Sequence, residues 1–136
     1  MPLVTDVSAL IGQVLDEKEA ALAEAVISEI AEDGAVVPSL FWYEIRNALI
    51  VNERRGRIRP EKSAFFLAAL TDLAMEVEPL PAEGPVLDLA RRYDLTVYDA
   101  AYLELASRRS LRLATADRKL SEAASRVDVS LFTGVG

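Results

Sequence analysis

At 136 residues the chain is long enough to bury a real core as one domain, residues 1–136, without disulfide or metal staples. It contains no histidine and no cysteine, which removes serine-histidine-acid triads, thiol nucleophiles and histidine bases from the available chemistry. A formal net charge of −7 argues against holding nucleic acid by bulk attraction, so local basic patches or bound metal would have to compensate.

Short apolar runs alternate with longer helical stretches from end to end, the pattern of an α/β fold. The first strand is expected near Leu3 to Thr5. From Asp16 to Glu32, Leu22, Val26 and Ile30 recur at a spacing of four and predict one amphipathic surface helix. Asp16, Glu17, Glu19, Glu24, Glu29 and Glu32 read as its solvated face. Gly34 precedes a second strand, Ala35 to Val37, and a helix carrying Glu44 ends at Gly56. Pro60 opens the next helix, Met75 to Val77 forms a third strand, and Pro79, Pro81 and Pro85 mark a loop. A helix from Asp99 through Arg109 leads to strands at Leu111 to Ala114 and Val129 to Phe132. No segment approaches the roughly 18 apolar residues of a membrane helix, and Met1 to Thr5 lacks the basic start of a signal peptide. A soluble, cytoplasmic protein is expected.

Four acids stand where apolar runs end: Asp6, Glu44, Asp99 and Asp117. In open α/β sheets, ligand sites form beyond the carboxyl ends of the strands, and Asp6 and Asp117 fall at that edge. Glu44, about one turn into its helix, and Asp99, at the start of another, could reach the same crevice. Gathering carboxylates at roughly 4 Å and an effective dielectric near 20 costs about 4 kcal/mol per pair, against a total stability of about 5 to 15 kcal/mol. Such a cluster persists by taking up protons or sharing cations, and oxygen donors without thiolate or imidazole favour magnesium or manganese. Each aspartate could instead cap a helix. Glu44, flanked by Trp42, Tyr43 and Ile45, needs a cation, a proton or a strong donor. Ser8 and Thr115 stand two residues from an aspartate and could orient it. Asn47 shares a helix face with Glu44, whereas Glu104 lies off the Asp99 face. Arg54 and Arg55, in the densest basic run, are candidate RNA contacts as well as helix-dipole partners.

Thr5-Asp6-Val7-Ser8, Val37 through Glu44 to Asn47, Tyr98-Asp99-Ala100-Ala101-Tyr102, and Thr115-Ala116-Asp117-Arg118, taken in order, resemble the PIN-domain ribonucleases, most closely the VapC toxins of bacterial toxin-antitoxin pairs. The likeness spans the chain and keeps every acidic position; Val7 stands where alanine or a small polar residue is more usual. The resemblance implies an α/β/α sandwich around a mainly parallel sheet. It further implies metal held by Asp6, Glu44, Asp99 and Asp117, support from Thr115 and Asn47, a homodimer or larger assembly with a VapB antitoxin, and a structured RNA substrate such as transfer RNA. The expected reaction is Mg2+- or Mn2+-dependent endoribonuclease hydrolysis by an activated water. The rivals are a catalytically silent PIN module that binds RNA or an antitoxin, and a receiver-type phosphotransfer domain. The latter fits poorly, because Lys119 follows Asp117 too closely.

Overall fold

The computed structural model describes residues 1–15, 18–79 and 83–134. In chain order they form β1 (Leu3–Thr5), α1 (Ser8–Leu15), α2 (Ala20–Asp33), β2 (Ala35–Pro38), α3 (Phe41–Arg54), α4 (Pro60–Thr71), β3 (Met75–Glu78), α5 (Glu83–Tyr93), α6 (Val97–Arg109), β4 (Leu113–Ala114) and α7 (Arg118–Arg126). The four strands pair in parallel in the order β3-β2-β1-β4. Parallel neighbours need crossovers, and the helices supply them while covering the apolar sheet as an α/β/α sandwich. The expected fold is therefore borne out.

β1 and β2 are buried along their whole length, as strands of a doubly covered sheet must be. From β1 the chain steps outward to β2 and β3, then returns to place β4 on the other side of β1. That reversal is the kind of switch point at which α/β sheets open a crevice beyond their strand ends. α6 lies against β1, β2 and β4 and is covered by α5 and α7. Its residues Ala100 to Ala106 are consequently all buried, the pattern of a central rather than a surface helix. The side chains it turns toward the strand ends are held on a rigid support.

Three expectations need correction. The helix expected from Asp16 to Glu32 is α2, which starts only at Ala20, and a separate helix, α1, precedes it. Asp16 and Glu17 lie outside the described residues. Of the remaining acids on the expected solvated face, Glu24 and Glu32 are exposed, Glu19 is half-buried, and Glu29 is half-buried against Arg112 at 2.9 Å. The proline loop is shorter than expected. Pro81 lies outside the described residues, and Pro85 sits in the first turn of α5, where the missing N–H costs no helical bond. The expected last strand is reduced to a single parallel bridge, Leu131 to Leu113, framed by Leu113 N–H to Ser130 O and Phe132 N–H to Leu113 O, each 2.9 Å. β4 itself is only two residues long, so little ladder is available for a partner.

α1 and α2 pack closely because Gly12 has no side chain. A Cβ there would come within 2.9 Å of the Glu19 carbonyl carbon and oxygen, backbone atoms that cannot rotate aside. Gly12→Ala should lower stability in urea unfolding by about 1–2 kcal/mol, overpacking outweighing a helix-propensity gain of about 1 kcal/mol. An unchanged or raised midpoint would mean that the helix pair gives way freely.

Candidate active site

Asp6 follows β1 directly and is 5% exposed. Its carboxylate is fully engaged: Oδ1 accepts from Ser8 Oγ at 2.7 Å and from Ala9 N–H at 3.1 Å, and Oδ2 accepts from Thr115 Oγ1. Ser8 and Thr115 also tie the two strand-end loops together. Ser8 Oγ accepts from Ala116 N–H at 2.8 Å and lies 3.1 Å from Thr115 Oγ1, which accepts from Asp117 N–H at 3.0 Å. The orienting role expected of both hydroxyls is thus visible in their contacts.

Asp117 caps α7, its Oδ1 accepting from Leu120 N–H at 3.1 Å. The capping explanation holds for this oxygen and in part for Asp6, which binds the first turn of α1. It fails for Asp99. The N-cap of α6 is Thr96, whose hydroxyl accepts from Asp99 N–H at 3.0 Å, leaving the Asp99 carboxylate in the first turn without a capping bond. Glu44, in the first turn of α3, finds the strong donor it requires in Tyr102, whose hydroxyl donates to Oε1 at 2.6 Å. Sequence reading missed Tyr102. Its one signal was a polar-tipped aromatic three residues after Asp99, on the same face of a helix with an otherwise apolar run.

Electrostatics join the four acids. Asp6 is pushed up to about 6, chiefly by burial, against the lowering effect of its hydroxyl donors, with Asp99 adding to the rise. Burial also raises Glu44, with Asp99 adding to it and Tyr102 opposing it. Asp99 is raised by burial and then by Asp117. Burial and Glu44 push the Tyr102 phenol far upward, so it remains a donor. Asp99 is therefore the hub, coupled to each of the other three. Among the described residues none of the four acids forms an ion pair, although Glu29, Glu76, Glu78, Asp94 and Glu104 each do. Lys119 comes nearest, lowering Asp99 somewhat, but its ammonium is committed to Asp94 at 2.8 Å.

The other sequence candidates sit apart from this group. Asn47 is exposed on α3 and makes no hydrogen bond among the described residues. Arg54 and Arg55 are exposed at the far end of α3, about 15 Å along the axis from Glu44 at 1.5 Å per residue. Glu104 is buried and held by Arg108 at 2.8 Å, in keeping with its exclusion. An apolar groove of about 190 Å3 beside Pro38, Leu40, Val97 and Tyr98 contains none of the four acids.

The PIN domain family model matches residues 3–126. The chain belongs to the PIN domain family. This PIN domain chain is 32% identical over 125 residues to Ribonuclease VapC3 of Pyrobaculum aerophilum, a match covering 90% of this chain and 94% of that protein. It also superposes on the crystal structure of PAE2754 from Pyrobaculum aerophilum with a TM-score of 0.66 and 28% identity, covering 90% of this chain and 86% of that one. The resemblance to VapC-type PIN ribonucleases, first carried by the four acidic segments, is borne out.

The donor set of this PIN domain suits a hard divalent cation. It is all oxygen, it forms no ion pair among the described residues, and its buried member sits near 6 instead of in the usual carboxylate range. The four do not form a ready-made cage: among the described residues no three acidic side chains stand close enough together to enclose an ion. Both oxygens of Asp6 are occupied by hydroxyl and amide donors and the Thr96 hydroxyl acts on Asp99, which leaves Asp117 Oδ2 and Glu44 Oε2 as acceptors without such bonds among the described residues.

Since the Asp6 carboxyl is raised on folding, its contribution to stability is fully present below its unfolded value near 4 and is lost as pH rises through about 6. In chelator, wild type should lose about 2.4 kcal/mol relative to Asp6→Asn between pH 4 and pH 7.5, measured by urea unfolding at each pH. A constant difference would show that Asp6 ionises as freely folded as unfolded.

Proposed function

We propose that this chain is a Mg2+- or Mn2+-dependent endoribonuclease, acting as the toxin of a type II toxin-antitoxin pair. The observation that carries the reading is the electrostatic coupling of Asp99 to Asp6, Glu44 and Asp117, four carboxylates that form no ion pair among the described residues, with Asp6 and Asp117 following β1 and β4 on either side of the switch point. A ribonuclease as near full-length relative, with matching coverage of both chains, supports it.

Asp99, Asp117, Glu44 and Asp6 would hold the metal. When bound, a divalent ion supplies Lewis-acid polarisation of a phosphoryl oxygen and lowers the pKa of water. The protein's own groups do the positioning. Ser8 and Thr115 keep the Asp6 carboxylate from rotating, and through Ala116 and Asp117 they keep the two loops in register. Glu44 Oε2 is the oxygen available to accept a proton from attacking water, because Oε1 is taken by Tyr102. With no histidine in the chain, a carboxylate whose pKa is raised by burial is the fitting base. Water attack leaves 5′-phosphate and 3′-hydroxyl ends. The substrate proposed is structured RNA such as transfer RNA, the inhibitor a VapB-like antitoxin, the quaternary unit a homodimer or a larger toxin-antitoxin assembly, and the compartment the cytoplasm. Arg54 and Arg55 remain candidate RNA contacts beyond the immediate site.

RNA cleavage should require added Mg2+ or Mn2+ and stop in chelator. Asp99→Asn and Asp6→Asn should each reduce turnover by at least about 100-fold while the protein stays folded by circular dichroism. Cleavage that persists in chelator would remove the metal mechanism. Tight RNA binding with no turnover under either metal would replace it with the silent binding module.

A further inference from the structure

Glu44 is the outlier among the four acids. Asp6 and Asp117 follow the ends of β1 and β4, and Asp99 sits in the first turn of α6 on a short side chain, but Glu44 has a longer side chain and projects, half-buried, from the first turn of α3. Asp99 repels it. With nothing else acting, a flexible glutamate so placed would swing toward solvent and away from the site. Tyr102 prevents that. It is 1% exposed in the fully buried middle of α6, and its hydroxyl donates to Glu44 Oε1 at 2.6 Å, joining α6 to α3 across 58 residues of chain. Phenylalanine would fill the same volume without a buried hydroxyl that demands a partner, so packing alone does not explain a tyrosine here. Among the described residues Oε2 has no hydrogen bond.

We infer that Tyr102 is a positioning residue: it clamps Glu44 through one carboxylate oxygen and presents only the other to the site. Asp99 and Tyr102 lie one turn apart on α6. A single rigid helix thereby places one carboxylate directly and a second through its phenol. Glu44 then acts as a one-oxygen acceptor and does not chelate with both oxygens.

This inference rests on the ribonuclease reading, and the test separates the two. Tyr102→Phe, Glu44→Gln and the double variant would be compared for Mn2+ affinity by calorimetry, for kcat and KM on RNA, and for the Glu44 carboxyl 13C resonance in chelator. Tyr102→Phe should fold with a near-wild-type melting temperature, bind Mn2+ about 10-fold more weakly and lose about 10- to 100-fold in kcat, with KM within about twofold. The double variant should be no worse than Glu44→Gln, since both changes break one unit. The Glu44 resonance in Tyr102→Phe should move toward that of a free glutamate. Wild-type affinity and turnover in Tyr102→Phe, or losses that add in full to those of Glu44→Gln, would overturn the inference and leave the ribonuclease reading intact. A wild-type protein that neither takes up Mn2+ nor cuts RNA would sink the reading instead. The carboxyl resonance then decides Tyr102 alone: movement upholds the clamp, and no movement overturns it.

Discussion

Burial of carboxylates that have no ion-pair partner among the described residues, with mutual repulsion added to it, is the constraint on which the site depends. Several acids elsewhere have a base of their own: Glu104 has Arg108, Glu76 and Glu78 have Arg109, and Glu29 has Arg112. Those at the ends of β1 and β4 have none among the described residues. Asp6 is buried and raised to about 6, and Asp99 presses on Glu44 and Asp6 while Asp117 presses on it. A fold stabilised by only about 5–15 kcal/mol tolerates such a cluster where the scaffold holds it and a ligand rewards it. Local strain of this kind belongs at functional sites.

The scaffold holds the cluster in two ways. From one side, the parallel pair β1–β4 brings two loops together, and Ser8 and Thr115 stitch them so that neither aspartate can retreat. From the other, α6 is buried along Ala100 to Ala106, so Asp99 and Tyr102 cannot shift without disturbing the core. α3 contributes Glu44 only through its first turn, and the Tyr102 hydrogen bond fixes it there. Both aspartates used as caps spend one face on helix stability and keep a role in the electrostatics. Capping a helix therefore does not remove a carboxylate from the coupled group.

Alternation of buried β runs with helices was legible from the chain because β1 and β2 are almost wholly apolar, and the sheet edge carrying Asp6 and Asp117 followed from it. The α1–α2 corner was not, since it depends on Gly12 meeting the backbone of Glu19, a contact between residues whose hydrophobic spacing looks continuous. The last strand was overcalled because Val129 to Phe132 has β-like residues but only a two-residue β4 to pair with. Within the site, acid positions and their hydroxyl neighbours could be read locally. Tyr102 could not, because its partner lies 58 residues away and its neighbours suggest only core. Asn47 has the helical spacing from Glu44 that the sequence suggests, and its side chain is exposed with no hydrogen bond among the described residues.

Proton release on Mn2+ binding tests the central claim most directly. Calorimetric titrations near pH 6 in buffers of different ionisation enthalpy count the protons displaced. With Asp6 near half-protonated, uptake of the ion should expel about half a proton from that group, and the release should fade by pH 8. Absence of Mn2+ uptake, or uptake with no proton release near pH 6, would contradict a cluster of charge-starved carboxylates waiting for a cation.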